Sequence, residues 1–150
     1  MRAMRDLPGS VLFACSQNAV RSAMAEAMLK SLHGKQIYVD SVGVRGSEVN
    51  PFAVEVMREI GLDISRHRAK TFDELLDTSF DLVISLSPEA HHRAVEMTRT
   101  MACDVEYWPT LDATAIEGSR EAVLNAYRDV RDKLMKRIKE RFPPPPGPAV

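Results

Sequence analysis

The stretch Val11–Leu29, VLFACSQNAVRSAMAEAML, decides the fold. It opens as a short apolar run that stops at Cys15, passes through polar and small residues, and takes up a helical pattern near Val20. Strand, loop and helix therefore follow one another. In such a unit the backbone N–H groups of the loop and of the first helical turn converge on one point, a ready seat for phosphate or another tetrahedral anion. Cys15 stands at the rim of that seat, and Arg21 lies six residues later.

Outward from this unit the chain alternates. Val11 to Ala14 is a continuous apolar run of strand length, as expected of a strand buried on both faces of a parallel sheet. From Arg21 to His33, Met24, Met28 and Leu32 fall at helical spacing, and Gly34 is a natural residue to follow a helix end. A second strand is expected over Gln36–Asp40, with a glycine-bearing loop over Ser41–Val49. Asn50-Pro51 is a cap followed by proline at the first helical position, opening a helix with Ala53, Met57 and Ile60 on its inner face and Gly61 at its end. Thr71–Leu76 suggests one short helix and Phe80–Leu86 a third strand. Ser87-Pro88 repeats the cap and proline, with Ala90, Ala94, Met97 and Met101 on one face, before a fourth strand over Asp104–Trp108. From Ser119 a long helix carries Val123, Tyr127, Val130, Leu134 and Ile138 on a single stripe.

Strands separated by helices predict an α/β domain with a parallel sheet, right-handed crossovers and helices on both faces. Ligands of such folds bind at the carboxyl ends of the strands, where the strand order switches, and Cys15 falls at that edge. One domain over residues 10–142 is expected. Met1–Gly9 reads as a flexible leader closed by Pro8-Gly9, and residues 143–150, PPPPGPAV, as an extended proline-rich tail.

Composition narrows the function classes. With 45% hydrophobic and 27% charged residues, and no apolar run near the ~18 residues that a membrane span needs, a membrane role is not expected. A net charge of −1 gives no global field for nucleic acid, so attraction for anions must be local. MRAMRDLPGS lacks the apolar core of a secretory signal, which predicts a cytoplasmic protein whose two cysteines, Cys15 and Cys103, are free thiols. No metal or cofactor is expected: His91, His92 and Glu96 have helical ligand spacing but no third ligand, and read as a solvated helix face. The chain is expected to act as a monomer or weak dimer.

The chemistry rests on Cys15. Read for packing alone, it is a small hydrophobe closing a core strand. Read with its surroundings it is a nucleophile, because a helix N-terminus, a ring of N–H groups and a guanidinium each favour the thiolate. Arg21 can hold two phosphate oxygens in its planar fork and follow them into a trigonal-bipyramidal transition state. Ser22 can donate a hydroxyl hydrogen bond to the sulfur. The cysteine–arginine spacing is specific only in this context; Cys103 has Pro109 at the corresponding position.

These residues resemble the phosphate-binding loop of the low-molecular-weight protein tyrosine phosphatases and the related thioredoxin-coupled arsenate reductases, whose pattern is an apolar strand, C-x-G-N-x-x-R-S and M-A-E-A. The likeness continues through SVGVRG, the Asn50-Pro51 helix start, EIGLDISRHRAK, FDLVIS and the last helix, and so covers nearly the whole chain. It implies a single three-layer domain with a four-stranded parallel sheet, no metal, and hydrolysis through a cysteinyl-phosphate. By that resemblance Cys15 is the nucleophile, and Ser16, Gln17, Asn18, Ala19, Val20, Arg21 and Ser22 form the phosphate-binding loop. Arg21 holds the phosphoryl oxygens, Ser22 steadies the thiolate, and Asn18 keeps the loop in its unusual backbone conformation. The expected substrate is a phosphorylated protein or a small aryl phosphate.

The family's general acid is an Asp before Pro, shortly after the fourth strand. Asp112 is the only carboxylate between Trp108 and Glu117, and is the expected acid. The chain departs from the pattern in places. Ala113 replaces Pro and removes a rigid constraint on the aim of Asp112. Gln17 replaces Gly, from which a different loop path or a narrowed rim is expected, and with it a catalytically weak phosphate-binding relative as one alternative. No aromatic residues stand beside Asp112 or in the loop offering Val44, Arg45 and Ser47, so an aromatic clamp is weak. The other alternative, arsenate reduction, needs further cysteines near the end of the third strand, where this chain has Ser87 and no neighbouring Cys; Val20 also replaces an adjacent cysteine found in some phosphatases.

Overall fold

The computed structural model describes residues 7–75 and 79–143. Most of the expected leader and tail, and the end of the short helix expected over Thr71–Leu76, lie outside the described residues. Four parallel strands form one sheet in the order β2-β1-β3-β4: β1 is Ser10–Cys15, β2 Tyr38–Gly43, β3 Leu82–Ser85 and β4 Asp104–Tyr107. The helices are α1 (Arg21–His33), α2 (Pro51–Arg58), α3 (Pro88–Met97) and α4 (Arg120–Arg141).

The central strand explains the layering. Successive side chains of a strand point to opposite faces, so Val11 and Phe13 enter a core with α1, α2 and α4, while Leu12 and Ala14 enter one with α3. All four side chains are fully buried, as the unbroken apolar run requires. The chain leaves β1 for β2 on one side and later returns to β3 on the other, so the strand order reverses beside β1. Cys15 ends β1 at that crevice.

The expected α/β architecture, the parallel sheet and the flanking helices are all present, and α1 has the expected span. Several boundaries differ. β2 starts at Tyr38 and runs past polar Asp40, the expected strand end, through Ser41–Gly43, where a loop was expected. Asp40 and Ser41 are buried with partners: Asp40 pairs with Lys70 at 2.8 Å, and the Ser41 hydroxyl bonds Asn18 and Glu26. β3 and β4 are shorter than expected, and the segment after Thr71 forms a single 3₁₀ turn over Phe72–Glu74. α2 stops at Arg58 with a tightened last turn, which leaves Ile60 exposed and puts Val56 inside with Ala53 and Met57. α3 ends before Met101, and Gly34 keeps right-handed helical backbone rather than a left-handed cap. Along α4 Tyr127, Val130, Leu134 and Ile138 of the expected stripe are buried, with Leu124, while Val123 is half-buried.

Candidate active site

The loop after β1 is assembled from both directions. Its outer carbonyls are pinned to the following segment: Val44 N donates to Cys15 O, Arg45 N to Ser16 O and Asn50 N to Ala19 O. Among the described residues the amides of Ser16, Gln17, Ala19 and Val20 meet no backbone carbonyl. α1 starts from Val20 without a side-chain cap, unlike α2, α3 and α4, which are capped by Asn50, Ser87 and Ser119. An uncapped first turn facing a ring of amides attracts an anion.

Cys15 is buried, with its sulfur 2.9 Å from Ser22 Oγ and accepting from Asn18 N at 3.3 Å. Asn18 Nδ2 donates to Ser22 Oγ at 2.8 Å, which leaves the serine hydroxyl hydrogen to be shared between the sulfur at 2.9 Å and Val42 O at 3.4 Å. Asn18 has φ +56 and is the one described non-glycine residue in the left-handed region. Its side chain fixes that conformation: Nδ2 also donates to Ser41 Oγ at 2.9 Å, while Oδ1 accepts from the His67 ring at 3.1 Å and from Lys70 N at 3.0 Å. His67 Nδ1 in turn stands 3.8 Å from Glu26 Oε1.

Gln17 lines the cavity without a glycine-only backbone conformation. Its φ is not positive, so no glycine is needed there, and its Oε1 accepts from Ser47 Oγ at 3.2 Å on the outer rim. The glycine that the loop does crowd is Gly43 at the end of β2. A Cβ on Gly43 would lie 2.7 Å from Asn18 N, 2.7 Å from Gln17 C and 2.5 Å from Arg45 O.

Arg21, Asp112 and Cys15 line one cavity of about 200 Å³, together with Ser16, Gln17, Ala19 and Val20 from the loop. Arg21 is buried, and its Nη1 donates to Thr110 O at 3.1 Å, tying the phosphate loop to the segment that carries Asp112. Asp112 Oδ1 accepts from Thr114 N at 3.0 Å and Thr114 Oγ1 at 2.6 Å, starting a 3₁₀ turn over Ala113–Ala115. Ala113 is fully buried beneath it. The rigidity expected to be lost with proline is supplied by this cap and this burial. Burial raises the Asp112 carboxyl, but the Thr114 bonds and the Arg21 charge outweigh it and hold the group below the usual carboxylate range.

The remaining wall is polar. Arg45 and Glu89 clasp across the mouth in a bidentate pair at 2.8 and 3.0 Å. The Arg45 bond, with a smaller contribution from Ser16, holds Glu89 below its ordinary range. No aromatic side chain lines the cavity. Sequence reasoning assigned no role to Ser41, His67, Lys70, Glu89 or Thr114. Buried polar residues in β2 and the polar run after Gly61 were the available signals, but they lie far along the chain from Cys15.

Cys103 is remote. Register carries Val11 to Leu82 to Asp104, so Cys103 and Cys15 are five residues apart along the strands, about 16 Å, and two strands apart laterally. A disulfide needs Cα atoms within about 7 Å. Burial, with Asp104 adding, pushes the Cys103 thiol up. His91 Nδ1 bonds Ser85 Oγ at 2.9 Å with its ring stacked on Tyr107, while His92 faces Glu96 on the exposed side.

The profile described as low molecular weight phosphotyrosine protein phosphatase matches residues 10–141. The chain belongs to that family. An arsenate reductase of Halalkalibacterium halodurans is 36% identical over 129 residues, 86% of this chain and 91% of that protein. Among solved structures, a low molecular weight protein tyrosine phosphatase from T. tengcongensis superposes with a TM-score of 0.72 at 27% identity, covering 87% of this chain and 95% of that one. YwlE arginine phosphatase, as a variant with a phosphorylated active-site serine, superposes with a TM-score of 0.67 at 26% identity, covering 87% of this chain and 96% of that one. This chain is therefore similar both to phosphatases and to arsenate reductases. Among its described residues no helix is long and apolar enough to cross a membrane.

Proposed function

We propose that the chain is a phosphatase that hydrolyses phosphomonoesters through a cysteinyl-phosphate on Cys15, with phosphotyrosine or another aryl phosphate as substrate. The observation that carries this reading is the cavity in which a buried thiol, a guanidinium and a carboxylate from a distant loop face one another. The phosphoryl group is held by the loop amides and the Arg21 fork, which stabilise charge on its equatorial oxygens. Cys15 Sγ attacks phosphorus, the P–O bond breaks, and Asp112 gives its proton to the leaving oxygen. Water then attacks the cysteinyl-phosphate, Asp112 takes a proton from it, and the P–S bond breaks to release phosphate. Ser22 Oγ, 2.9 Å from the sulfur, steadies the departing thiolate.

Arsenate reduction is the second reading, favoured by relatives such as the Halalkalibacterium halodurans protein. It needs thiols to take up the oxidation of Cys15, and Cys103, the other cysteine, is at the far edge of the sheet. The test is hydrolysis of p-nitrophenyl phosphate and phenyl phosphate by wild type, Cys15→Ser and Asp112→Ala, beside thioredoxin-coupled arsenate reduction. Cys15→Ser is expected to abolish both hydrolyses, and Asp112→Ala to slow phenyl phosphate, the poorer leaving group, by about 100-fold or more. Hydrolysis that survives Cys15→Ser overturns the mechanism. An unchanged phenyl phosphate rate in Asp112→Ala rejects the acid assignment alone, and arsenate turnover that requires Cys103 establishes the second reading.

A further inference from the structure

A second cavity, of about 260 Å³, lies on the other side of the acid-bearing segment, between residues 108–111 and α4. Its body is apolar: Leu111 stands at the lip with 56% of its surface exposed, over the inward-facing Val130 and Leu134. Its mouth is cationic. Lys133 is matched by Asp129 at 3.0 Å, whereas Arg137 lies over the Trp108 ring at 4.9 Å and, among the described residues, has no carboxylate within ion-pair distance. A guanidinium placed over an indole face still has N–H groups to offer a carboxylate. We infer that this cavity binds a small amphiphilic carboxylate, with the apolar body against Leu111, Val130 and Leu134 and the anion on Arg137.

Such a ligand reaches the reaction centre through one strand of backbone. Thr110, part of the cavity wall, is the residue whose carbonyl accepts from Arg21, and Asp112 follows two positions later. Occupancy is therefore coupled to phosphate binding, and coupling between two sites is reciprocal. The binding itself stands independently; this regulatory half rests on the phosphatase reading.

Trp108 is the sole tryptophan of the chain and reports on the cavity directly. Titration of the full chain with 4-phenylbutyrate is expected to change Trp108 emission saturably. Arg137→Glu is expected to weaken the apparent affinity about tenfold or more, with the ligand-free p-nitrophenyl phosphate rate unchanged. Leu111→Asp, at an exposed position, gives an independent second variant with the same expected loss. Saturating inorganic phosphate is expected to shift the phenylbutyrate Kd about fivefold, and phenylbutyrate to shift the phosphate inhibition constant by the same factor. An emission change that fails to saturate, or is the same in wild type and both variants, overturns the inference. Saturable binding with the phosphate affinity unchanged overturns its regulatory half. A wild type that binds phenylbutyrate but never hydrolyses p-nitrophenyl phosphate defeats the phosphatase reading and leaves the binding site established.

Discussion

Asn18 fixes the geometry of the phosphate loop by two separate means. Its backbone occupies the left-handed region, and its amide joins Ser22, Ser41, His67 and the Lys70 backbone. Alanine at that position would carry a left-handed strain of about 1–2 kcal/mol and leave buried hydroxyls short of a partner. Asn18→Ala is therefore expected to lower stability by about 2–4 kcal/mol in chemical denaturation and to depress kcat on p-nitrophenyl phosphate. Asn18→Gly should regain about 1 kcal/mol of that; if glycine is no better than alanine, backbone strain is not part of the effect. Thr114 acts on Asp112, the proposed general acid. Its hydroxyl stabilises the charged form of Asp112, so Thr114→Val raises the carboxyl pKa and keeps its proton to higher pH. The falling alkaline limb of kcat for phenyl phosphate is expected to move to higher pH, and a limb that stays in place or moves down contradicts the assignment of Asp112 as the acid.

At the scale of elements, β2 is the support behind the phosphate loop. Its last residue pairs with Cys15 in the sheet, and its polar side chains Asp40 and Ser41 engage Lys70, Asn18 and Glu26 instead of solvent. The close approach at Gly43 lets the strand end meet the loop backbone without an intervening side chain. Gly43→Ala sets a methyl group against backbone atoms on two sides, which cannot give way as a flexible side chain would. It is expected to cost about 1–3 kcal/mol in stability. It is also expected to reduce kcat/KM well below the melting temperature, because Asn18 N is one of the atoms displaced. Full activity in a well-folded Gly43→Ala protein would show that the loop tolerates the shift. The segment that carries Asp112 is held comparably by the Asp112–Thr114 cap, the buried Ala113 and the Arg21–Thr110 bond.

Over the whole molecule, one ion-pair cluster locks α2 onto α4. Glu59 accepts from Arg128 and Arg131, and Arg131 also donates to Val56 O at 2.8 Å. The Arg128 and Arg131 hydrogen bonds bring the Glu59 carboxyl from 4.5 down to about 2. A carboxyl depressed in the folded state adds stability that is fully present above its unfolded pKa and is lost as pH falls through the folded one. The contribution of Glu59 is thus expected to vanish between pH 4.5 and about 2. Wild type and Glu59→Gln should differ in melting temperature near neutral pH and converge at the acid end, with added salt narrowing the gap because the group is solvent-facing. A constant difference across that window would remove Glu59 as the titrating group.

Sequence alone determined the alternating strands and helices, the central position implied by the unbroken run Val11–Ala14, and the juxtaposition of Cys15, Arg21 and Ser22 in one loop. These are local properties: periodicity of 2 or 3.6, cap residues and short spacing, each written within a dozen residues. Tertiary structure decided the rest. That Gly43 meets the loop backbone, that Ser41 belongs to a strand, and that Thr110 holds Arg21 all depend on packing between segments far apart in the chain. Such contacts carry no periodic signature, because a buried polar side chain is made tolerable by a partner whose position only the folded chain defines.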